Sequence, residues 1–330
     1  MTLQKAHKKR ASRPQIGVIC LSLLLFFTLA LMLRRADIAA NCMREGLILS
    51  ARAIVPSLFP FMVLSELLVA SGVGEWIALP FERPFRKLLG LSRAGSCAVV
   101  LGLLCGFPIG ARCAILSYQK GAIDRTECER ILACSSIPSS AFLISTVGTT
   151  LWKNTRFGVL LYICAVFSAI LSGFLLYGMQ KHRKSNEWNN TKSSPTKVHF
   201  EAGMFSTAIK NATLNTLLIC AYVVFFCTLT GTLEIVLGRF SASQTTHAIL
   251  SAVLELSGGV SAIASLNNRQ LAALLTGAAV GWSGISVHCQ MRSLCDGQTL
   301  STRTYLIAKL AQAVICAVVM CATLSLDIFY

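Results

Sequence analysis

Charged side chains inside long apolar stretches are the residues of this sequence best suited to chemistry. Glu66 lies in "FMVLSELLVAS" and Glu255 lies in "AVLELSGG". A charge within the hydrocarbon of a bilayer is costly, so an acidic residue there usually binds an ion, carries a proton or pairs with a basic group. Both glutamates are therefore candidates for ion coupling. The alternative for each is a position at a helix end, from which the carboxylate reaches the membrane interface.

Two basic side chains accompany other apolar segments. Arg112 ends the stretch "CGFPIGAR", and His288 lies in "GWSGISVHCQ" together with Ser283, Ser286 and Gln290. An arginine or histidine side chain in a central cavity can bind a carboxylate or a polar ring. Arg112 could instead extend to the lipid headgroups, because the helix that carries it ends nearby.

Glycine, proline and serine interrupt these apolar segments. A break in a membrane helix leaves backbone groups unpaired, and it is tolerated only where it is buried in protein or faces a water-filled cavity. The N-termini of half-helices at such a break carry partial positive charge, which suits anionic or polar ligands. The glycines could otherwise serve close helix packing, and the serines could bond to a neighbouring turn. The candidate substrate-binding residues are Gly106, Pro108, Gly110, Arg112, Ser136, Ser139, Ser140, Gly258, Gly259, Ser283, Gly284, Ser286, His288 and Gln290.

The composition indicates a membrane protein. The 330 residues are 54% hydrophobic and only 13% charged, with a mean hydropathy of +0.65, whereas soluble domains carry about 25% charged residues. The net charge of +16 falls mostly between apolar segments, as the Lys and Arg excess of cytoplasmic loops does. We therefore predict an all-α polytopic transmembrane bundle with broken or re-entrant helices, in contact with the lipid bilayer and without a nucleic-acid partner.

Cofactor and enzyme chemistry have little support in the sequence. The 14 cysteines form no Cys-x-x-Cys pair and most lie within apolar runs, where cysteine acts as a small buried hydrophobe. The five histidines have no metal-ligand spacing, and the sequence shows no nucleophile–base constellation, phosphate loop or zinc motif. We predict no metal, no cofactor, no catalytic residue and no enzymatic activity.

Apolar and polar segments divide the chain into four regions. Residues 1–35 are predicted to hold a basic N-terminus and a first transmembrane helix. A signal peptide is the alternative, but the apolar core at 16–33 spans about 27 Å and no small-residue cleavage site follows it. A polar, basic linker at 181–200 separates a first repeat at 36–180 from a second repeat at 201–330.

Two elements of the first repeat differ from ordinary transmembrane helices. Asp124 followed by Glu127 predicts a capping box at the start of a short helix, with charges along one face and a position at the membrane surface. The next apolar segment, 137–151, is too short for an easy crossing and suggests a re-entrant half-helix.

The two repeats are predicted from segments that correspond in order. Each pair shares an apolar run with a glycine-rich or serine-rich break. Interrupted hydrophobic segments at matching positions of two halves point to the binding site of a transporter. The pairs are residues 50–77 with 207–236, 100–116 with 249–266, and 130–151 with 273–294.

Four stretches carry a resemblance to a known family: "PSLFPFMVLSELL", "GLLCGFPIGAR", "KGAIDRTECERILA" and "GWSGISVHCQ". From about Arg44 to Ala322, the chain resembles sporulation integral membrane proteins of the YlbJ type, also called stage V sporulation protein V. These proteins carry the nucleoside-recognition or gate domain. The resemblance implies a fold akin to concentrative nucleoside transporters, with two repeats and re-entrant gate segments. The segment "ACSSIPSSAF" departs from the Asn-rich turn with Gly-Pro that such proteins tend to carry there.

The resemblance also implies a function in endospore formation, namely movement of dipicolinate across the outer forespore membrane. A planar dianion would meet half-helix N-termini and the side chains of Arg112 and His288. We therefore expect a permease for a small anionic or polar metabolite, in the bacterial cell membrane or the outer forespore membrane. The alternatives are a nucleoside-type transporter and a non-transporting membrane scaffold of the spore envelope. The oligomeric state is open, with a homo-oligomer as one option.

Overall fold

The computed structural model describes residues 16–181, 198–239 and 243–324, and within these ranges the chain forms helices and no strand. Two short π-helices interrupt the series, π1 at Ser50–Ile54 and π2 at Phe142–Leu151. The predicted all-α polytopic bundle is confirmed. The α-helices are α1 (Ile16–Arg34), α2 (Ala36–Leu49), α3 (Val55–Ala70), α4 (Val73–Leu89), α5 (Arg93–Cys105), α6 (Ile109–Gln119), α7 (Arg125–Cys134), α8 (Thr155–Lys181), α9 (Ala202–Arg239), α10 (Gln244–Leu254), α11 (Leu256–Ala264), α12 (Arg269–Trp282), α13 (Gly284–Leu294) and α14 (Arg303–Leu324).

Four stretches of the described chain are long and apolar enough to cross a bilayer. Three of them carry large exposed apolar side chains, such as Phe167 in α8, Leu217 in α9 and Val314 in α14, as lipid contact requires, whereas Arg269–Leu294 exposes no large apolar side chain. A fifth crossing would need α3 and α4 together, but these two helices bend by 85° at their junction. The four stretches are Thr155–Gln180, Ala202–Ile235, Arg269–Leu294 and Arg303–Thr323.

Several predicted boundaries differ from the structure. The segment 50–77 of the first predicted pair is divided at Gly72, whose left-handed φ of 78° ends α3 and starts α4 in a new direction. Its predicted counterpart, 207–236, belongs to a longer helix, α9, which begins at Ala202. Most of the predicted linker at 181–200 lies outside the described residues, as do the first fifteen residues of the predicted N-terminal region.

Two apolar segments fold back on themselves as helical hairpins, and these hairpins position the candidate site. A Cβ placed on Gly110 of α6 would lie 2.5 Å from the Cα of Gly102 in α5, although eight residues of continuous helix would separate them by about 12 Å. A Cβ on Gly259 of α11 would lie 2.5 Å from the backbone nitrogen of Ala252 in α10. We call α5–α6 the first hairpin and α10–α11 the second hairpin.

Helix α7 begins as predicted but does not carry its charges as predicted. The Asp124 carboxylate accepts the backbone N–H of Glu127 at 2.6 Å, so Asp124 is the N-cap. The Glu127 carboxylate does not complete the capping box, because it accepts the N–H of Ser92 at 2.6 Å instead. Glu127 and Arg130 are both buried, and Arg130 donates to the carbonyl of Gly90. The charged face of α7 is thus turned inward. Burial raises the pKa of Glu127 and lowers the pKa of Arg130.

The remaining helices support the hairpins from two sides. On one side, α14 packs against α12, α8 and α7, and π2 packs along α8. On the other side, α9 packs against α2 and α3. Residues 135–141 leave α7 and lead into π2, and they meet the tip of the first hairpin. We call residues 135–141 the serine segment, because four of the seven residues are serine.

Candidate functional site

The tip of the first hairpin is held by the serine segment. Gly106 has a left-handed φ of 81°, and a Cβ there would lie 2.5 Å from the Cα of Ser139. The N–H of Phe107 donates to the carbonyl of Ile137 at 2.7 Å. The peptide bond between Phe107 and Pro108 is cis. Only glycine allows this close contact of two backbones, so the glycine fixes where the tip meets the serine segment.

The tip of the second hairpin is a single residue, Glu255. Its carboxylate accepts the N–H of Ser257 at 2.9 Å and the N–H of Gly258 at 2.6 Å, which caps α11. The tip packs on Gly284, where a Cβ would lie 3.0 Å from the nitrogen of Leu256. Gly284 follows Ser283, a non-glycine residue with a φ of 72°. The break between α12 and α13 therefore receives the second tip.

Both tips meet at one cavity with about 650 Å³ of empty space. Its apolar wall includes Phe107 of the first tip, Phe142 of π2 and Leu58 of α3. An apolar wall with a few polar groups is typical of small-molecule sites. We call it the central cavity. Its polar lining residues are Ser139, Glu255, Ser257, Ser283, Ser286 and Gln290.

The central cavity has little charge. Glu255 is the only ionisable side chain among the described residues that line it. Both of its oxygens accept backbone N–H groups, so its negative charge is offset at the N-terminus of α11. The N-termini of α6 and α13 have no side-chain cap. Among the described residues, no group of three or more His, Cys, Asp or Glu side chains is arranged to hold a metal ion.

The predicted site residues divide into three groups. Five of the sixteen line the central cavity, namely Ser139, Glu255, Ser283, Ser286 and Gln290.

A second group shapes the backbone or bonds to it. The glycines 106, 110, 258, 259 and 284 make the close contacts of the two hairpins and their neighbours, while Ser136 Oγ donates to Leu132 and Ser140 Oγ to Leu104. The third group, away from the central cavity, is Glu66, Pro108, Arg112 and His288.

Arg112 and Glu66 meet each other. Arg112 Nε lies 2.8 Å from Glu66 Oε1, and Asn211 Nδ2 donates to Glu66 Oε2 at 3.3 Å. The ion pair joins α6 to α3, and the amide adds α9. Both charged residues line a second, smaller cavity, together with Pro108. Arg112 thus lies against an acidic partner 46 residues away in the chain and does not line the central cavity.

His288 points away from the central cavity. Its Nδ1 lies 2.8 Å from the hydroxyl of Tyr305 in α14, and its ring contacts the edge of Trp282. Its Nε2 is buried and has no hydrogen-bond partner among the described residues. The histidine thus joins α13 to α14, while its neighbours Ser286 and Gln290 face the cavity.

Sequence analysis missed Lys309, a fully buried lysine in α14. Its Nζ donates to the carbonyl of Ser136 at 3.0 Å and to Gln312 Oε1 at 3.1 Å. Gln312 Nε2 donates in turn to the carbonyl of Ala133 at 2.9 Å. A cation is favoured at the C-terminus of a helix, so Lys309 holds the end of α7 and the start of the serine segment. The sequence signal for Lys309 was a charged residue within an apolar run, "YLIAKLAQAV". The same signal singled out Glu66.

Comparison with known proteins gives a distant relative. No family model and no solved structure matches the sequence. The chain is 21% identical over 337 aligned positions to the sporulation integral membrane protein YlbJ of Bacillus subtilis (strain 168), with 92% of this chain and 82% of that protein covered. With several helices able to span a bilayer, the chain is a multi-pass integral membrane protein similar to this Bacillus protein.

Proposed function

We propose that this protein is a permease for a small polar metabolite that carries a planar ring. The observation that supports the proposal most is the meeting of two hairpin tips at one cavity. A cavity of this kind lies between two discontinuous elements, as the substrate sites of many transporters do. Movement of either tip would change access to the cavity, because both tips contribute lining residues, Phe107 from the first and Glu255 from the second.

The lining suits a planar, polar molecule. Phe107 and Phe142 offer apolar faces, and Ser139, Ser286 and Gln290 offer hydroxyl and amide groups. Dipicolinate is the first substrate to test, because the relative is a sporulation protein and the sequence resemblance implies this dicarboxylate. The uncapped N-terminus of α13, which follows the lining residue Ser283, supports an anion. The membrane would then be that of a sporulating cell, with the outer forespore membrane as the expected location.

A nucleoside is the second candidate substrate. The single carboxylate of the lining, Glu255, disfavours a dianion, whereas a neutral ring with hydroxyl groups meets no such repulsion. Serine and glutamine side chains can donate to or accept from a ribose or a base. Competition between the two compounds therefore decides the substrate class within the same cavity.

Uptake by reconstituted protein tests the proposal. Labelled dipicolinate and labelled uridine are each offered to proteoliposomes, and the uptake is compared with that of Val287→Phe. Val287 lines the central cavity, so a phenylalanine there should fill part of it and reduce uptake at least tenfold. Val253→Phe is the matched control, because Val253 is exposed and does not line the cavity.

Three results would distinguish the permease from the membrane scaffold and test the central cavity as its substrate site. Uptake that Val287→Phe abolishes and Val253→Phe preserves supports the permease. Uptake that both variants preserve contradicts the assignment of the central cavity. Absence of uptake of either compound by folded wild-type protein contradicts the permease and favours the membrane scaffold.

A further inference from the structure

The Glu66–Arg112 ion pair lies in a cavity of its own, on the other side of the first hairpin tip from the central cavity. This smaller cavity has about 310 Å³ of empty space, and its wall includes Met62, Ser65 and Ile109. We call it the outer cavity. Phe107 lines the central cavity, whereas the next residues along the chain line the outer one. The tip therefore separates the two spaces.

Helix α3 runs past both cavities. Leu58 lines the central cavity, and Met62, Ser65 and Glu66 line the outer one. The eight residues from Leu58 to Glu66 cover about 12 Å of helix. The two cavities thus follow one another along α3, and the first hairpin tip contributes lining residues to both.

Arg112 has binding capacity that Glu66 does not use. The contact to Glu66 is made through Nε at 2.8 Å, and within the described part of the chain the two terminal nitrogens make no further hydrogen bond. The Arg112 side chain is 24% exposed and the Glu66 side chain 16% exposed, so an entering molecule can reach them. A guanidinium binds a carboxylate best through two parallel N–H groups. A second carboxylate could therefore replace Glu66 as the partner of Arg112.

Glu66 has a partner that remains when Arg112 leaves. Asn211 of α9 donates to the other carboxylate oxygen at 3.3 Å. Release of Arg112 would leave Glu66 hydrogen-bonded, which lowers the cost of separating the ion pair. The ion pair also ties α6 of the first hairpin to α3, so its separation would free one attachment of the hairpin.

We propose that Arg112 is a second binding site for a substrate carboxylate, and that the carboxylate displaces Glu66 and releases the first hairpin. This inference rests on the proposed permease function and adds the requirement that the substrate is an anion. The outer cavity would receive the carboxylate before it passes the tip to the central cavity. A neutral molecule has no means of displacing Glu66 and would not use this step.

Opposite effects of two substitutions test the exchange. Glu66→Gln removes the competing carboxylate, so the KM for dipicolinate should fall about threefold or more. Arg112→Gln removes the binding group, so the KM should rise roughly tenfold or more. Arg112→Lys keeps the charge but loses the planar fork, and its KM should lie between those of Arg112→Gln and the wild type. Uptake of the neutral pyridine-2,6-dicarboxamide, measured in parallel, should not respond to any of these changes.

Charge reversal distinguishes exchange from a structural ion pair. The double variant Glu66→Arg with Arg112→Glu can restore the ion pair but presents the arginine from α3. If it transports dipicolinate within twofold of the wild type, the ion pair is only structural and the proposal is wrong. The control is Arg125→Gln, because Arg125 and Glu129 form an ion pair with the same 2.8 Å separation outside both cavities; its KM should not change.

Binding measurements separate this proposal from the permease itself. Thermal unfolding of the purified full-length protein with and without dipicolinate reports binding without transport. A stabilisation that Arg112→Gln removes and Arg125→Gln retains supports the carboxylate site even if uptake is absent. A stabilisation that Arg112→Gln retains, or no stabilisation of the wild type at all, contradicts it.

Discussion

The first and second hairpins stabilise their tips in opposite ways. The first tip depends on neighbours: Gly106 packs on the serine segment, and Arg112 pairs with Glu66 of α3. The second tip packs on Gly284 but also supplies its own cap, because the Glu255 carboxylate accepts the first N–H groups of the helix that follows it. A self-capped tip carries its hydrogen bonds along when it moves, whereas a tip held by neighbours must break contacts. The first hairpin is therefore the one whose position other parts of the molecule can control.

Both hairpins are tightly closed, and glycine substitutions that test this closure should have the largest effect. A side chain at Gly110 or Gly259 would meet the backbone of the opposite helix at about 2.5 Å or less. Gly110→Val and Gly259→Val should each destabilise the protein by about 3 kcal/mol or more, measured by thermal unfolding in detergent. Gly178→Val is the control, because nothing lies within 4 Å of a Cβ there. A tolerated Gly259→Val would mean that the second hairpin opens freely.

Removal of Lys309 should affect the first hairpin and not the second. Lys309→Met takes away the donor to the Ser136 carbonyl and leaves Gln312 without one of its partners, which should cost about 1–3 kcal/mol. The serine segment then loses an attachment, so amide exchange should accelerate at 104–110 and stay unchanged at 253–259. Lys120→Met, at an exposed lysine, should change neither segment. Equal acceleration in both segments would contradict the separate control of the two tips.

Substitution of Glu255 tests whether the second tip is self-capped. Glu255→Ala removes both acceptors of the α11 amides and should cost about 1 kcal/mol, whereas Glu255→Gln keeps one oxygen and should cost less. Thermal unfolding measures both. If the carboxylate is only a cap, Glu255→Gln should also leave uptake unchanged. A severe loss of uptake in a stable Glu255→Gln variant would give the carboxylate a role in ion coupling, the alternative raised by its place in an apolar segment.

The smallest effect is expected at Ser283, which precedes Gly284, the residue on which the second tip packs. Its φ of 72° is unfavourable for any residue with a side chain, so Ser283→Gly should leave stability unchanged or raise it by up to about 1 kcal/mol. Thermal unfolding again supplies the measurement. The hydroxyl donates to the carbonyl of Val280 at 3.1 Å. A clear loss of stability would show that this hydrogen bond outweighs the backbone strain.

Local signals predicted much of the fold. Long apolar runs gave the helices, and the Asp124 cap of α7 was readable because its partner lies three residues away. The break at Gly106 could be predicted as well, because glycine acts on its own backbone conformation. Other features could not be read: the burial of Arg130 and the placement of Lys309 depend on helices that are distant in the chain. The internal repeat stays a prediction, although the two aligned glycine-interrupted segments both form hairpins.

The sequence by itself determined where helices are interrupted, because glycine, proline and serine act on their own dihedral angles and on the nearest turns. It also determined which charges lie in apolar surroundings, since hydropathy is a local property. Only the tertiary structure decided the partners of those charges. Arg112 faces Glu66 and not the central cavity, because α3 and α6 pack side by side with the first hairpin tip between the two cavities. Pairing across such distances depends on helix packing, which no short stretch of sequence encodes.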